Sequence, residues 1–173
     1  AMPRQATQVL MPLNSMKMDE IYAPNFKDGE HVCLIRYPHS GPTEILDLKV
    51  NNKNKEAISL FGKSPKDCVV INPKNASKLS GADFDGDSVV VIPNKYRQGK
   101  GTIKVSPQLE ALKNFDPHIE YKGYEGMKIM TERQKGQEMG KAANLITDMM
   151  TIGCPDEHLA RAIKHSMVVI DTT

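Results

Sequence analysis

Three aspartates stand at alternate positions in the segment Ser80–Ser88: Asp83, Asp85 and Asp87. Aspartate is depleted in β-strands, so packing in a strand does not explain this alternation. Gly86 relaxes the backbone between the last two, and in a tight loop all three carboxylates can converge on one point. Each unscreened pair about 4 Å apart would cost roughly 4 kcal/mol at an effective dielectric near 20. The pattern therefore predicts a site for a hard divalent cation, and all-oxygen ligands favour Mg²⁺, Mn²⁺ or Ca²⁺ over Zn²⁺.

Three other interpretations of the acidic segment are open. An EF-hand calcium loop that starts at Asp83 needs a glutamate at its twelfth position, where Asn94 stands. A haloacid-dehalogenase-type phosphohydrolase would use Asp83 as its nucleophile. Asp87, however, replaces the Thr or Ser of that motif, and the apolar run Val89–Ile92 follows the motif rather than preceding it. The third is a solvated acidic turn without function, which closely flanking apolar strands make uncommon.

The elements that must position these aspartates are strands in the first two-thirds of the chain. Short runs rich in Val, Ile and Leu, bounded by turn residues, predict strands at Thr7–Met11, Val32–Arg36, Ile45–Val50, Cys68–Ile71 and Ser88–Ile92. Short helices are predicted at Lys55–Phe61 and Pro73–Leu79 between them. The acidic segment thus immediately precedes the last predicted strand.

Helical periodicity marks the last third of the chain. Ser106 followed by Pro107 predicts a helix start. Apolar residues at helical spacing predict a long helix over Glu138–Ile152. A second helix is predicted to start with Pro155 and to carry His165 near its end.

Composition limits the classes of function. The 173 residues carry a net charge of +2, so charge alone does not indicate a nucleic-acid partner. Aromatic residues make up 5% and there is no Trp, so a platform of stacked aromatics is not evident. The cysteines, Cys33, Cys68 and Cys154, form no C-x-x-C pair, which disfavours a zinc knuckle or a disulfide framework and fits a reducing cytosol. No apolar run has bilayer length, so no membrane partner is expected.

The acidic segment resembles a known family. Ala82–Asp87 is similar to the Ala-Asp-Phe-Asp-Gly-Asp signature of the largest subunit of cellular RNA polymerases. Ser80-Gly81 before it is closer to the RNA-dependent RNA polymerases of RNA silencing, which resemble that subunit. The similarity is greatest to single-chain enzymes of this kind in bacteria and their phages, which implies a cytoplasmic location in a bacterial or phage-infected cell.

Two further segments support the resemblance in the family's order. Val32–His39 is similar to an upstream strand that ends in Arg-x-Pro, here Arg36 and Pro38. The C-terminal segments Leu159–Arg161 and His165–Asp171 resemble a region of the silencing-type enzymes in which a helix leads to a short Val-Asp strand. The resemblance thus spans most of the chain, from about Gln8 to Asp171.

The resemblance implies an α+β fold: a double-psi β-barrel of six strands over residues 1–100, with the acidic loop at one end. It implies a mainly helical extension over 101–173, which we expect to be truncated at its C-terminus in a piece of a longer protein. The family's active site lies between two barrels, and the partner barrel supplies lysines for the nucleotide phosphates. Because this sequence shows no second barrel, we expect half of a catalytic centre.

The resemblance also implies a reaction, template-directed nucleotidyl transfer to an RNA 3′-hydroxyl from a nucleoside triphosphate. Asp83, Asp85 and Asp87 would be the catalytic residues that hold Mg²⁺, or Mn²⁺, and a second ion would arrive with the triphosphate. Arg36 would contact the nucleotide; its alternative is a surface ion pair with a carboxylate such as that of Glu44.

Further expectations concern the surroundings of these residues. Gly86 and Pro38 would shape the site, and Phe84 would point into the barrel core. The implied partners are nucleoside triphosphates, a DNA or RNA template, the RNA product and a second barrel. A metal-binding barrel without activity in isolation is the remaining alternative.

Overall fold

The computed structural model describes residues 7–37, 39, 41–79, 81–97, 100–103 and 105–171. The chain divides into two compact units, Ala1–Pro38 with Glu44–Ser106 and His39–Thr43 with Pro107–Thr173. The predicted domain boundary after residue 100 stays a prediction, since compactness does not show which part folds independently. Pro38 and Ser80, which the sequence placed at or beside the site, lie outside the described residues.

The first unit contains a closed barrel of six strands. These are β1 (Thr7–Pro12), β2 (Glu20–Tyr22), β3 (His31–Arg36), β4 (Leu46–Val50), β5 (Cys68–Ile71) and β6 (Ser88–Pro93). Their order around the barrel is β1-β5-β2-β4-β3-β6, and β6 closes the ring on β1. The pairs β1·β5 and β2·β4 are parallel, and the other four are antiparallel.

The barrel has an internal two-fold symmetry. Exchanging β1, β2 and β3 for β4, β5 and β6 reproduces the same ring of neighbours and the same two parallel pairs. This is the connectivity expected of a double-psi barrel. The predicted α+β fold, with such a barrel and helices after it, is confirmed.

Alternating apolar side chains fill the barrel. In β1, Leu10 is fully buried while its neighbour Val9 is 37% exposed, as a strand with one face on a core requires. The barrel core includes Leu10, Ile21, Leu34, Leu48, Val69, Ile71, Val89 and Val91. The five predicted strands agree with the structure to within a residue at each end, but β2 was missed. It has three residues, too few to show an alternating pattern.

Helical turns connect the barrel strands. The predicted helix α1 (Lys55–Phe61) is present, and the Asn54 side chain caps it by accepting a hydrogen bond from the Ala57 amide. Pro73–Lys78 forms a 3₁₀ helix where the sequence predicted a helix to Leu79. A two-stranded hairpin of β7 (Tyr96–Arg97) and β8 (Lys100–Gly101) follows the barrel.

The second unit is helical and contains α2 (Pro117–Glu120), α3 (Glu132–Thr151) and α4 (Asp156–Asp171). Its core joins the apolar faces of α3 and α4 with side chains of the segment before α2: Leu109, Leu112, Phe115, Ile146, Leu159, Ile163 and Met167. Helix α3 begins earlier than predicted because Thr131 and Gln134 form a capping box at its start. Within the described residues, neither long helix has the length and hydrophobicity of a membrane-spanning segment.

Two predictions in this unit are wrong. Ser106 and Pro107 do not start a helix; a single 3₁₀ turn forms at Glu110–Leu112, which suffices to bury the side chain of Leu112. The short C-terminal Val-Asp strand is absent because α4 continues through Asp171. Val169 extends the buried face of that helix and is 4% exposed, so its apolar side chain favours further helix here rather than a strand.

Candidate metal centre

The acidic loop is fixed by buried residues on both sides. Before it, Leu79 and Ala82 pack into the barrel core, and the Ala82 amide donates to the Leu79 carbonyl at 3.2 Å. After it, β6 pairs with β1 on one edge and with β3 on the other. The loop is therefore a short connection between two anchored points, which limits where its carboxylates can lie.

Asp87 is the buried anchor of this loop. It is 9% exposed, and its Oδ1 accepts a hydrogen bond from Arg36 Nε at 2.6 Å. Its Oδ2 accepts from the backbone amides of Asp83 at 3.0 Å and Phe84 at 3.1 Å. One carboxylate thus satisfies two loop amides and a guanidinium from a different strand. These are charge-assisted hydrogen bonds, which are stronger than neutral ones.

Asp83 and Asp85 are exposed and lie beside Asp87. One carboxylate oxygen from each of the three is within 4.8 Å of the others, so the predicted convergence is confirmed. Hydrogen bonding from Asp85, chiefly from its backbone amide, lowers the pKa of Asp83. The hydrogen bond to Asp83 and the charge of that carboxylate raise the pKa of Asp85. Two carboxylates crowded in this way compete for one proton when no cation neutralises them.

Unusual backbone conformations allow this crowding. Phe84 has a φ of 63° and Gly86 a φ of 130°. A positive φ is uncommon for a bulky residue, and surrounding contacts must hold it in place. Phe84 packs against the barrel core, as predicted, while the carboxylates stay outside. The partly buried Phe84 ring and the Asp87 carboxylate together hold the turn that brings the aspartates together.

Substituting alanine for Gly86 is expected to destabilise the barrel and weaken cation binding. An added Cβ would meet nothing within 4 Å, so the cost arises from the backbone alone. A strained residue of this kind costs about 1–3 kcal/mol. Thermal unfolding and Mn²⁺ titration measure the two effects. Gly123→Ala is the control, because that site is equally open without a positive φ; equal behaviour of both variants would contradict the prediction.

Arg36 reaches the acidic loop from the end of β3. Its side chain is 16% exposed, and Nε is bonded to a carboxylate 51 residues later in the chain. The ion pair of Arg36 with Asp87 is largely buried, with side-chain exposures of 16% and 7%. The sequence pointed to both residues but did not predict their bond. The only indication in the sequence was that Arg36 and Asp87 each lie in a segment that resembles the same family.

The three carboxylates suit a hard divalent cation. Asp83 and Asp85 present exposed oxygens, and every oxygen of the set is anionic. Asp87 Oδ2 already accepts two hydrogen bonds, whereas Oδ1 accepts one from Arg36 Nε and retains a second acceptor position for a cation. Mg²⁺ usually takes few protein carboxylates and keeps several waters, and this set leaves such room.

Comparisons with known proteins find similarity among solved structures. No protein-family model matches the chain, and no curated protein matches it. Among solved structures the chain is similar to the RNA-dependent RNA polymerase QDE-1 from Thielavia terrestris, with a TM-score of 0.44 and 19% sequence identity over 95% of this chain. The matched region is 17% of that polymerase, so this chain spans about a sixth of the length of the structure it resembles.

Proposed function

We propose that this chain is the cation-binding barrel of a template-directed RNA polymerase. The observation that carries the proposal is the convergence of Asp83, Asp85 and Asp87 in a loop of the Ala-Asp-Phe-Asp-Gly-Asp type, with Arg36 bonded to the third. The partners would be nucleoside triphosphates, a DNA or RNA template and a growing RNA. A second barrel would complete the site.

The three aspartates have different tasks in this proposal. Asp83 and Asp85 hold the cation with exposed oxygens, whereas Asp87 shapes the loop and contributes through a shared oxygen. A bound Mg²⁺ or Mn²⁺ supplies Lewis-acid stabilisation of an attacking hydroxyl and of phosphate charge. The chain's own work is positioning, because phosphoryl transfer requires little covalent chemistry from the protein.

Arg36 is the proposed nucleotide-contacting residue. A guanidinium carries five N–H donors in a planar fork that suits sugar hydroxyls and phosphate oxygens, and Nε of Arg36 donates to Asp87. Asp87 thereby fixes the orientation of Arg36 relative to the cation site. Gly86 supplies the positive φ between Asp85 and Asp87 that the turn of the acidic loop requires.

Labelled ribonucleotide incorporation on primed RNA and DNA templates, with Mg²⁺ and then Mn²⁺, tests the proposal. We expect none from the 173-residue chain alone and incorporation from a longer protein that adds a second barrel, with loss on Asp85→Asn. Incorporation by the single barrel would contradict the half-site. Absence of incorporation from the two-barrel protein would contradict the polymerase. Hydrolysis of an aryl phosphate that is lost in Asp83→Asn would indicate a phosphohydrolase instead of a polymerase.

A further inference from the structure

The helical unit contains a small cavity that is bordered by both cationic and apolar side chains. Its volume is about 180 Å³, and it is bounded by Tyr121, Arg161, Lys164, His165 and Val168. All five residues belong to the second unit, and none is acidic. The cavity is therefore suited to an anion, whereas the carboxylates of the metal centre are suited to a cation.

Helix α4 builds one wall of the cavity. Its apolar face, with Leu159 and Ile163, is buried in the core of the unit. Arg161, Lys164 and His165 follow at positions i, i+3 and i+4, which places them together on one helix face. The packing that buries one face of α4 thus fixes the direction of the cationic face beside it.

The cations of this cavity differ from the ion-paired lysines of the same unit. Lys113 pairs with Glu110 at 2.6 Å, and Lys141 pairs with Glu138 at 2.6 Å. Across the described part of the chain, Arg161 and Lys164 form no ion pair. Lys164 Nζ instead lies 4.7 Å from the centre of the Phe115 ring, a cation–π contact that holds the side chain without neutralising it.

An exposed aromatic side chain borders the same cavity. Tyr121 is 54% exposed, and its ring packs edge-on against Phe115 with the centroids 6.4 Å apart. Ile119 and Tyr124 in the same segment are 69% and 74% exposed. Cationic side chains beside an exposed ring provide the two contacts by which proteins bind single strands: charge for the phosphates and a flat surface for sugar or base.

We propose that this cavity binds a backbone phosphate of a single-stranded nucleic acid. Arg161 and Lys164 contact the phosphate oxygens, and the Tyr121 ring lies against the adjoining sugar or base. The choice of a nucleic acid strand as the source of the phosphate rests on the proposed function. The cavity itself, whose described lining holds Arg161 and Lys164 without ion pairs and contains no acidic side chain, requires only an anion of phosphate type.

Fluorescence anisotropy with a labelled single-stranded oligonucleotide tests the proposal, using the 173-residue chain in EDTA. Arg161→Gln with Lys164→Gln is expected to weaken binding about tenfold at low salt. Each phosphate neutralised on a single strand contributes about 0.7 to the slope of log K against log salt, and the cavity takes one phosphate, so the slope should fall by about 0.7. Lys113→Gln with Lys141→Gln removes the same charge from ion-paired lysines of the unit and should leave the slope unchanged.

Several outcomes would overturn the proposal. No binding by the wild-type chain would do so, as would equal losses in the two double variants. Displacement of the oligonucleotide by inorganic phosphate or a nucleoside triphosphate at equal phosphate concentration would assign the cavity to a free anion. Should the double variant fail to fold by circular dichroism, Arg161→Gln alone changes an exposed side chain, and its slope should still fall, by up to about 0.7.

A Mn²⁺ titration separates this proposal from the proposed function. The double variant Arg161→Gln with Lys164→Gln should bind Mn²⁺ as the wild type does, because it leaves the acidic loop unchanged. Loss of oligonucleotide binding with retained Mn²⁺ binding is the expected result. If the incorporation assay showed no activity, the comparison of oligonucleotide binding with Mn²⁺ binding in this variant would still test the cavity.

Discussion

Replacing Asp87 with alanine is expected to lower the free energy of unfolding by about 3 kcal/mol, because it leaves a largely buried guanidinium without its carboxylate. The Arg36 side chain is 16% exposed and donates to Asp87 at 2.6 Å. The amides of Asp83 and Phe84 would lose their acceptor as well. Urea unfolding of the chain in EDTA measures the loss.

Replacing Asp85 with alanine is expected to leave the free energy of unfolding unchanged or to raise it. Asp85 is exposed, and the neighbouring Asp83 carboxylate raises its pKa, so in metal-free buffer its charge is repelled rather than bonded. Asp85→Ala should therefore unfold at an equal or higher urea concentration than the wild type. Asp87→Asn, which retains one acceptor oxygen, should fall between the two. Equal destabilisation by Asp85→Ala and Asp87→Ala would contradict the division of roles among the aspartates.

Asparagine at Asp85 is expected to weaken Mn²⁺ binding by the chain by about 10–100-fold, a range that perturbation of a metal site commonly produces. The substitution keeps the shape of the side chain but removes an exposed anionic ligand. Electron paramagnetic resonance of free Mn²⁺, without nucleotide, gives the affinity directly. Asp67→Asn, at an exposed site in the same unit, is the control for charge alone. Equal losses in the two variants would exclude a specific site.

The pH dependence of Mn²⁺ binding follows from the Asp85 carboxyl. Protonation removes a ligand, and the pKa of this group is raised by its neighbour Asp83. The Mn²⁺ affinity should therefore begin to fall at a higher pH than for a site of ordinary aspartates, and it should recover as the pH rises again. In Asp83→Asn the neighbouring charge is absent, so this fall should move to lower pH although the affinity is weaker throughout. An unchanged pH profile in that variant would contradict the coupling.

Local sequence determined the acidic loop and most of the elements around it. Three aspartates at alternate positions with a glycine before the last can converge only in a turn, and such crowding of charge indicates a cation. Helix α1 follows from its Asn54 cap, and the five longer strands follow from their apolar runs. Each of these signals involves only residues close together in the chain, so each can be recognised without knowledge of the rest of the chain.

Tertiary structure decided the elements whose signals are short or conflicting. β2 has only three residues and exists because β4 and β5 offer it partners on both edges. The end of α4 is rich in β-branched residues, yet it stays helical because burial of Val169 continues the helix face. In both places the burial of a side chain outweighs a weak local preference.

The tertiary structure also decided the roles of the three aspartates. In the sequence Asp83, Asp85 and Asp87 are equivalent members of one pattern, and only closure of the barrel brings Arg36 to the third. The basic cavity has the same origin, since packing of α2 against α4 unites Tyr121 with residues forty positions later. Sequence spacing determined which charges could act together within a loop. Long-range strand pairing and helix packing determined which of them are buried, paired and available to a ligand.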